Sequence, residues 1–247
     1  MFALLTSQSI TPFYWWLPTD AARHGHALDH HLILNLWIAL ALLLLAHIIL
    51  FAGLLLRRGQ LIRNTWKLEL PVLLLLSVLF AWFAVRAESL WELERYQGAD
   101  AGAMQVEVTG VQFAWYFRYP GEDARFGETR PELVEPGAGN PLGIDPADPH
   151  GADDFVSSVL VLPVGREVDL RLRALDVMHG FFVPAMRLKQ DAVPGMTLHI
   201  HFTPEKIGEY PVLCSQICGL GHYRMQATMR VVAPEEFERW VRAHERR

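Results

Sequence analysis

Leu32–Leu56 is almost wholly apolar, interrupted only by Asn35 and His47. At about 1.5 Å of rise per residue, roughly 20 apolar residues cross the hydrocarbon core of a bilayer, so this run is long enough to span one. A second run, Leu70–Val85, follows after a short polar connection. It is shorter, and needs Trp66–Glu69 or the residues beyond Arg86 at the interface. The reading is two membrane spans, at about 32–56 and 66–86, with a buried core helix as the alternative for the second. The connection carries Arg57, Arg58, Arg63 and Lys67, the densest basic cluster beside either run. Basic loops stay cytoplasmic, so both termini and everything from about Glu88 onward are expected on the exoplasmic side. The N-terminal stretch lacks a basic leader and a cleavage site and is not read as a signal peptide. Its Phe13, Tyr14, Trp15 and Trp16 suit the headgroup layer, where amphipathic rings settle.

Beyond residue 98 the pattern changes. Val106, Val108 and the aromatic run VQFAWYFRYP read as strand. Residues 120–154 are rich in Pro, Gly and acids with no period, a long loop between strands rather than a linker between domains. In REVDLRLRAL, Val168, Leu170 and Leu172 alternate with Asp169, Arg171 and Arg173, giving one buried and one wet face. MTLHIHF repeats the device with Leu198, Ile200 and Phe202 inward. GEYPVLC and MQATMRVV complete a set of short strands that predicts a β-sandwich or barrel. APEEFERWVRAHERR begins with Pro and acids and ends with arginines, a helix aligned with its macrodipole. The chain therefore reads as an N-terminal segment with a transmembrane hairpin over 1–98 and an all-β domain with a C-terminal helix over 99–247. A net charge of −5 without any Lys/Arg-rich block excludes a nucleic-acid-binding surface.

The two cysteines of the chain lie in CSQICGLGHYRM, where Cys214, Cys218, His222 and Met225 form C-x3-C-x3-H-x2-M. Thiolate and thioether are soft donors and imidazole is borderline, so the set favours copper over magnesium, calcium or manganese. A disulfide is compatible with an exoplasmic compartment but leaves His222 and Met225 unexplained. Structural zinc wants four tight nitrogen or sulfur ligands. It could use His179, in DVMHGFFVP, as the fourth, but would leave Met225 idle.

DVMHGFFVPAMRLKQDAVPGM and CSQICGLGHYRM, with the hairpin before them, resemble subunit II of the haem–copper cytochrome c oxidases over nearly the whole chain. The resemblance implies a cupredoxin-like β-sandwich holding a dinuclear copper centre, CuA. That centre takes electrons from cytochrome c, or a similar soluble donor, and passes them to haem in subunit I, which also holds CuB. It further implies an integral protein of a bacterial-type plasma membrane, assembled with other oxidase subunits that reduce oxygen and pump protons. Carried over by position, Cys214 and Cys218 bridge both coppers and His179 and His222 bind one each. Met225 is a weak axial ligand, and the carbonyl of Gln216 serves the other copper. The competing class is a non-catalytic, membrane-anchored copper- or zinc-binding assembly protein using the same side chains.

The chain departs from the family in four places. Many relatives have glutamate at Gln216, whose side chain also binds magnesium beside the acid matching Asp191. A neutral amide is a poorer ligand for that hard cation, so magnesium is the less supported metal. The tryptophan that receives electrons in the family is Phe113 here, while Trp115 matches the next one. Two residues apart on a strand, both are expected on one face, and either is a candidate, with simple strand packing as the alternative. The family's proton-channel glutamate is Asn64 here, and Glu69 is out of register. No CxxCH haem motif appears, so the donor is expected to be a separate protein. Asp176 matches a carboxylate at the family's cytochrome c docking face, and Glu122, Asp123, Asp153 and Asp154 add acids that would steer a basic partner. The remaining histidines get plain readings. His24, His26, His30 and His31 are interfacial, His199 and His201 exposed, and His47 bonded to a neighbouring helix or subunit.

Overall fold

The computed structural model describes residues 16–56, 65–92, 95 and 97–244. It has two compact units, one of residues 24–98 and one joining the chain ahead of them to the chain from Ala99 onward. The first contains α1 (Gly25–Leu56) and α2 (Trp66–Trp91). At 1.5 Å per residue they are about 48 and 39 Å long, more than a bilayer core requires. Both extend beyond the apolar runs, α1 back to Gly25 and α2 from Trp66 to Trp91. Their leucines are exposed on all sides, the pattern of helices solvated by lipid. The His47 Nδ1 lies 2.8 Å from the Leu43 carbonyl one turn back in its own helix. Phe13, Tyr14, Trp15, Arg57, Arg58, Arg63 and Asn64 lie outside the described residues.

The second unit is a sandwich of two five-stranded sheets. One runs in the spatial order β3 (Phe155–Ser157), β2 (Ala114–Tyr119), β1 (Met104–Val111), β5 (Val168–Ala174), β8 (Leu198–Phe202). The other is β4 (Val159–Pro163), β10 (Gln226–Val232), β9 (Gly208–Cys214), β6 (His179–Val183), β7 (Leu188–Ala192). Period-2 alternation builds the core: Trp115, Phe117 and Tyr119 of β2 and Val168, Leu170 and Leu172 of β5 point inward. They meet Leu160 and Leu162 of β4, Phe181 and Val183 of β6, and Met229 and Val231 of β10. Tyr119 ties the sheets together, its hydroxyl donating to the Val161 carbonyl (3.0 Å) and accepting from the Val161 N–H (2.7 Å). The C-terminal helix α3 (Pro234–His244) has Glu235 and Glu236 in its first turn and Arg242 and His244 in its last. Its Trp240 closes an aromatic cluster with Tyr119 and Phe155.

The outer face of the first sheet is drier than its alternation predicts. Glu107, Arg118 and Asp169 are all buried: the loop over 120–154 folds across Arg118, which lies beside Glu107, while Asp169 pairs with His199 of β8. Arg118 donates to the Gly127 carbonyl (2.6 Å) and through Nε to Asp154 Oδ2 (2.9 Å), with the Phe126 ring 5.3 Å from its guanidinium. Buried charges require such pairing. Asp154 thus faces inward and is not part of an acidic docking surface, and Asp123 is engaged by His150 at 2.6 Å. Glu122 stays exposed. His201, expected in solvent, is mostly covered and pairs with Glu167 at 3.3 Å, while His199 pairs with Asp169 at 2.9 Å. The short segment ahead of α1 also belongs to the sandwich. Ala21 and Ala22 are buried in its core, and Ala21 bonds the Ala185 carbonyl and the Glu205 N–H, both at 2.8 Å.

Candidate metal centre

Strand register brings three connections to one end of the sandwich. β6 and β9 pair with Phe181 opposite Cys214, so His179, at the start of β6, lies at the end where β9 stops. β9 and β10 pair with Leu213 opposite Gln226, which turns the chain from Ser215 to Met225 into one loop rooted between Cys214 and Met225. The roots are fixed by backbone bonds, Cys214 N–H to the Met225 carbonyl (3.1 Å) and Ser215 N–H to the Gly180 carbonyl (2.9 Å). The third connection is the β1–β2 turn, Gln112–Phe113, closed by the Val111–Ala114 pair. Gly110 lets the His179 ring lie against β1: a Cβ there would stand 2.8 Å from His179 Cδ2, closer than packing permits.

The soft donors converge. Cys218 Sγ lies 3.8 Å from Cys214 Sγ, 3.8 Å from His222 Nδ1 and 3.6 Å from Met225 Sδ. Cys214 Sγ lies 3.2 Å from the Gln216 carbonyl oxygen. A ring nitrogen of His179 and the two thiol sulfurs fall within 4.8 Å of one another. Both cysteines are free thiols, so the disulfide reading does not describe this state. A metal ion with sulfur bonds of about 2.3 Å bridges a gap of this size.

His179 carries the clearest sign of a ligand. It is fully buried, its Nε2 lies 2.8 Å from Asp176 Oδ1, and its Nδ1 has no hydrogen-bond partner. An ionised carboxylate only accepts, so Nε2 holds the proton and Nδ1 presents its lone pair. A buried, unpaired nitrogen is costly unless something occupies its lone pair, and a metal ion would do so. Asp176 also accepts the N–H groups of Gln112 and Val177, both at 2.7 Å. Partial burial alone would raise its pKa, but these hydrogen bonds outweigh that and hold the carboxyl below the usual range. Burial pushes the Cys218 thiol up, and its hydrogen bond and charge interaction with Cys214 add to the rise. Metal uptake must therefore displace thiol protons, and it weakens as pH falls.

The two aromatic candidates separate. β2 starts at Ala114, so Phe113 sits in the turn rather than on the strand face of Trp115 that alternation predicts for it. Phe113 is 40% exposed, whereas Trp115 is 2% exposed and packs edge-on against His179 and Phe181, with centroids 5.8 and 5.5 Å away. Asp191, in β7, accepts from the Gln216 side-chain amide at 3.0 Å. Asp176 has a role that sequence reasoning missed, as the group that orients His179. Its position three residues upstream of that histidine was the available signal. An Asp176→Asn exchange keeps the shape but sets an NH2 group against the Gln112 N–H or the His179 N–H. Copper affinity should fall about 10- to 100-fold, measured by competition against a chelator of known strength.

A two-sheet sandwich with His, Cys and Met donors on loops at one end, in a chain with two lipid-suited helices, defines a membrane-anchored, cupredoxin-like protein whose donor cluster is consistent with a copper site. The family model for the periplasmic domain of cytochrome c oxidase subunit II matches residues 149–232, which include every one of these donors. The alternative cytochrome c oxidase subunit 2 of Bradyrhizobium diazoefficiens is 39% identical over 160 residues, covering 64% of this chain and 57% of its own. Cytochrome c oxidase subunit 2 of Thermostichus vulcanus is 38% identical over 140 residues, covering 57% of this chain and 33% of its own. These matches thus span between a third and three fifths of the curated relatives. The crystal structure of the periplasmic domain of subunit II of cytochrome oxidase from Bradyrhizobium japonicum aligns with a TM-score of 0.44 at 26% identity, covering 60% of this chain and 96% of that one. The chain is thus similar to cytochrome c oxidase subunit II, above all over the periplasmic domain of that family, and carries ahead of that region two helices long and apolar enough to cross a membrane.

Proposed function

We propose that this chain accepts electrons for a respiratory cytochrome c oxidase through a dinuclear copper centre, CuA, and hands them to haem in subunit I. The carrying observation is the donor set itself: two free thiols 3.8 Å apart, the unpartnered His179 Nδ1, and His222, Met225 and the Gln216 carbonyl each within 4 Å of a thiol sulfur. Cys214, Cys218, His179, His222, Met225 and the Gln216 carbonyl would hold the copper, which would supply one-electron transfer there. The protein's part is to keep the donors still. Cys214 and Met225 are rooted in paired strands, and Asp176 fixes the His179 ring. Rigid placement of ligands lowers the rearrangement that accompanies each transfer.

In this reading Phe113, exposed beside the ligand loop, faces the donor, a soluble cytochrome c or similar protein, with Asp176 at the docking face. Trp115 serves as packing behind His179. Ile217, Leu220 and Tyr223 of the ligand loop are 88%, 97% and 80% exposed. Apolar groups so displayed suit a loop that docks against other protein, here subunit I and its partners. Both termini lie on the periplasmic side, with the basic connection between the helices in the cytoplasm. Magnesium beside Asp191 is not included, because the residues fit it poorly: the Gln216 amide directs an N–H at Asp191 Oδ2, where a cation would need a second anionic oxygen.

Met225→Leu tests the axial assignment. Met225 is buried with its sulfur 3.6 Å from Cys218 Sγ, and leucine conserves its volume at a cost below about 1.5 kcal/mol. Both coppers should remain while the reduction potential shifts, as read by metal analysis and redox titration. Loss of all copper would contradict a weak axial role.

A further inference from the structure

The β1–β2 turn supplies no metal ligand, yet one of its residues touches both loops that do. Gln112 donates from its side-chain Nε2 to the Cys218 carbonyl and from its backbone N–H to Asp176 Oδ2 at 2.7 Å. The acceptor on Cys218 is a carbonyl, which fixes the near atom of the amide as nitrogen. Cys218 stands at the centre of the donor set, and Asp176 holds the His179 ring. The turn also lies flat on the ligand loop: a Cβ at Gly221 would come within 2.4 Å of the Phe113 ring, and one at Gly219 within 2.7 Å of Gln112 Nε2. A glycine at each of these positions is what admits the turn.

We propose that Gln112 is a positioning residue for the metal centre, a clamp whose two N–H donors tie the electron-accepting turn to the cysteine loop and to the His179 loop together. It acts through Cys218 and Asp176 and touches no metal itself. Among the described residues, no other hydrogen bond joins this turn to the cysteine loop. Phe113 follows Gln112 in the chain, so the hydrogen bond from the Gln112 side-chain amide to Cys218 also completes a route of covalent bonds and a single hydrogen bond from the exposed ring to a residue of the donor set. The proposal rests on the copper reading for its role in electron transfer, but the clamp is a property of the metal-free chain.

That difference sets the experiment. Cys218 is 3% exposed, so in the metal-free, full-length chain in detergent it meets iodoacetamide only when its loop lifts. Gln112→Met keeps the length and loses the donor, and Gln112→Lys restores a donor on a long side chain. One net hydrogen bond corresponds to about a fivefold change in such an opening equilibrium. Alkylation of Cys218, located by mass spectrometry, should therefore speed up about fivefold in Gln112→Met and return to within about twofold of the parent in Gln112→Lys. Hydrogen exchange of β4 and β5 amides in the same samples should be unchanged. An unaltered rate in Gln112→Met would overturn the clamp. So would equal acceleration in Gln112→Lys, or faster exchange throughout the sandwich. Copper stoichiometry of the parent chain is measured separately, so failure of the CuA reading and failure of the clamp give different results.

Discussion

Cys218→Ser should abolish the dinuclear site while leaving the sandwich folded. Cys218 Sγ neighbours three other donors, Cys214 Sγ, His222 Nδ1 and Met225 Sδ, all within 3.8 Å. In the proposed site the Cys218 thiolate would serve both metals, so its removal would take a ligand from each. Serine fits the space but offers a hard, weakly acidic hydroxyl, which is a poor match for copper. The fold should tolerate the change, because the loop roots are backbone bonds at Cys214, Ser215 and Met225 that do not involve this side chain. Metal analysis should give at most one copper per chain, with far-ultraviolet circular dichroism unchanged. Retention of two coppers would remove Cys218 from the bridge.

Trp115→Ala should be the most destabilising substitution near the site. The indole is 2% exposed and is wedged between the rings of His179 and Phe181. Large-to-small exchange of a buried aromatic costs about 3–5 kcal/mol, a large share of the roughly 5–15 kcal/mol that holds a domain folded. The cavity would also open behind His179, loosening a ligand whose other side is held by Asp176. Urea midpoints should drop sharply, and copper affinity with them. Trp115→Phe makes the complementary test. Trp115 Nε1 has no hydrogen-bond partner, so phenylalanine keeps an aromatic ring in the site and gives up no bond, and it should cost clearly less than alanine. Electron acceptance from a reduced cytochrome should then survive Trp115→Phe and slow in Phe113→Ala. The reverse order would make Trp115 the receiving residue.

The soft donors were legible because they are rare residue types packed into a dozen positions, where chemistry can be read without knowing the fold. The core strands were legible for a similar reason: Val168, Leu170 and Leu172 declare a buried face by period alone. What could not be read depends on contacts between distant parts of the chain. Alternation assigns Asp169 to water, yet it is buried where it pairs with His199, and Arg118 is buried under the loop over 120–154. Alternation also put Phe113 on the Trp115 face, since nothing local marks the strand as starting one residue later. Ala21 and Ala22 have no strand period and enter the core through backbone bonds to Ala185 and Glu205. Gln112 and Cys218 lie 106 positions apart, and a glutamine in a turn gives no signal of its partner.

The central claim is that the cysteine loop and His179 together hold two coppers as one electron-accepting unit. Because the segment ahead of α1 packs into the sandwich, the chain to use is the full-length one, loaded with copper in detergent. Copper and zinc are counted per chain, and the electron paramagnetic resonance spectrum is recorded on the same sample. Two coppers per chain, with one unpaired electron shared equally between them as a mixed-valence signal, is the result expected. One zinc per chain, or a single copper with a localised signal, would contradict the account and favour a metal-binding assembly protein.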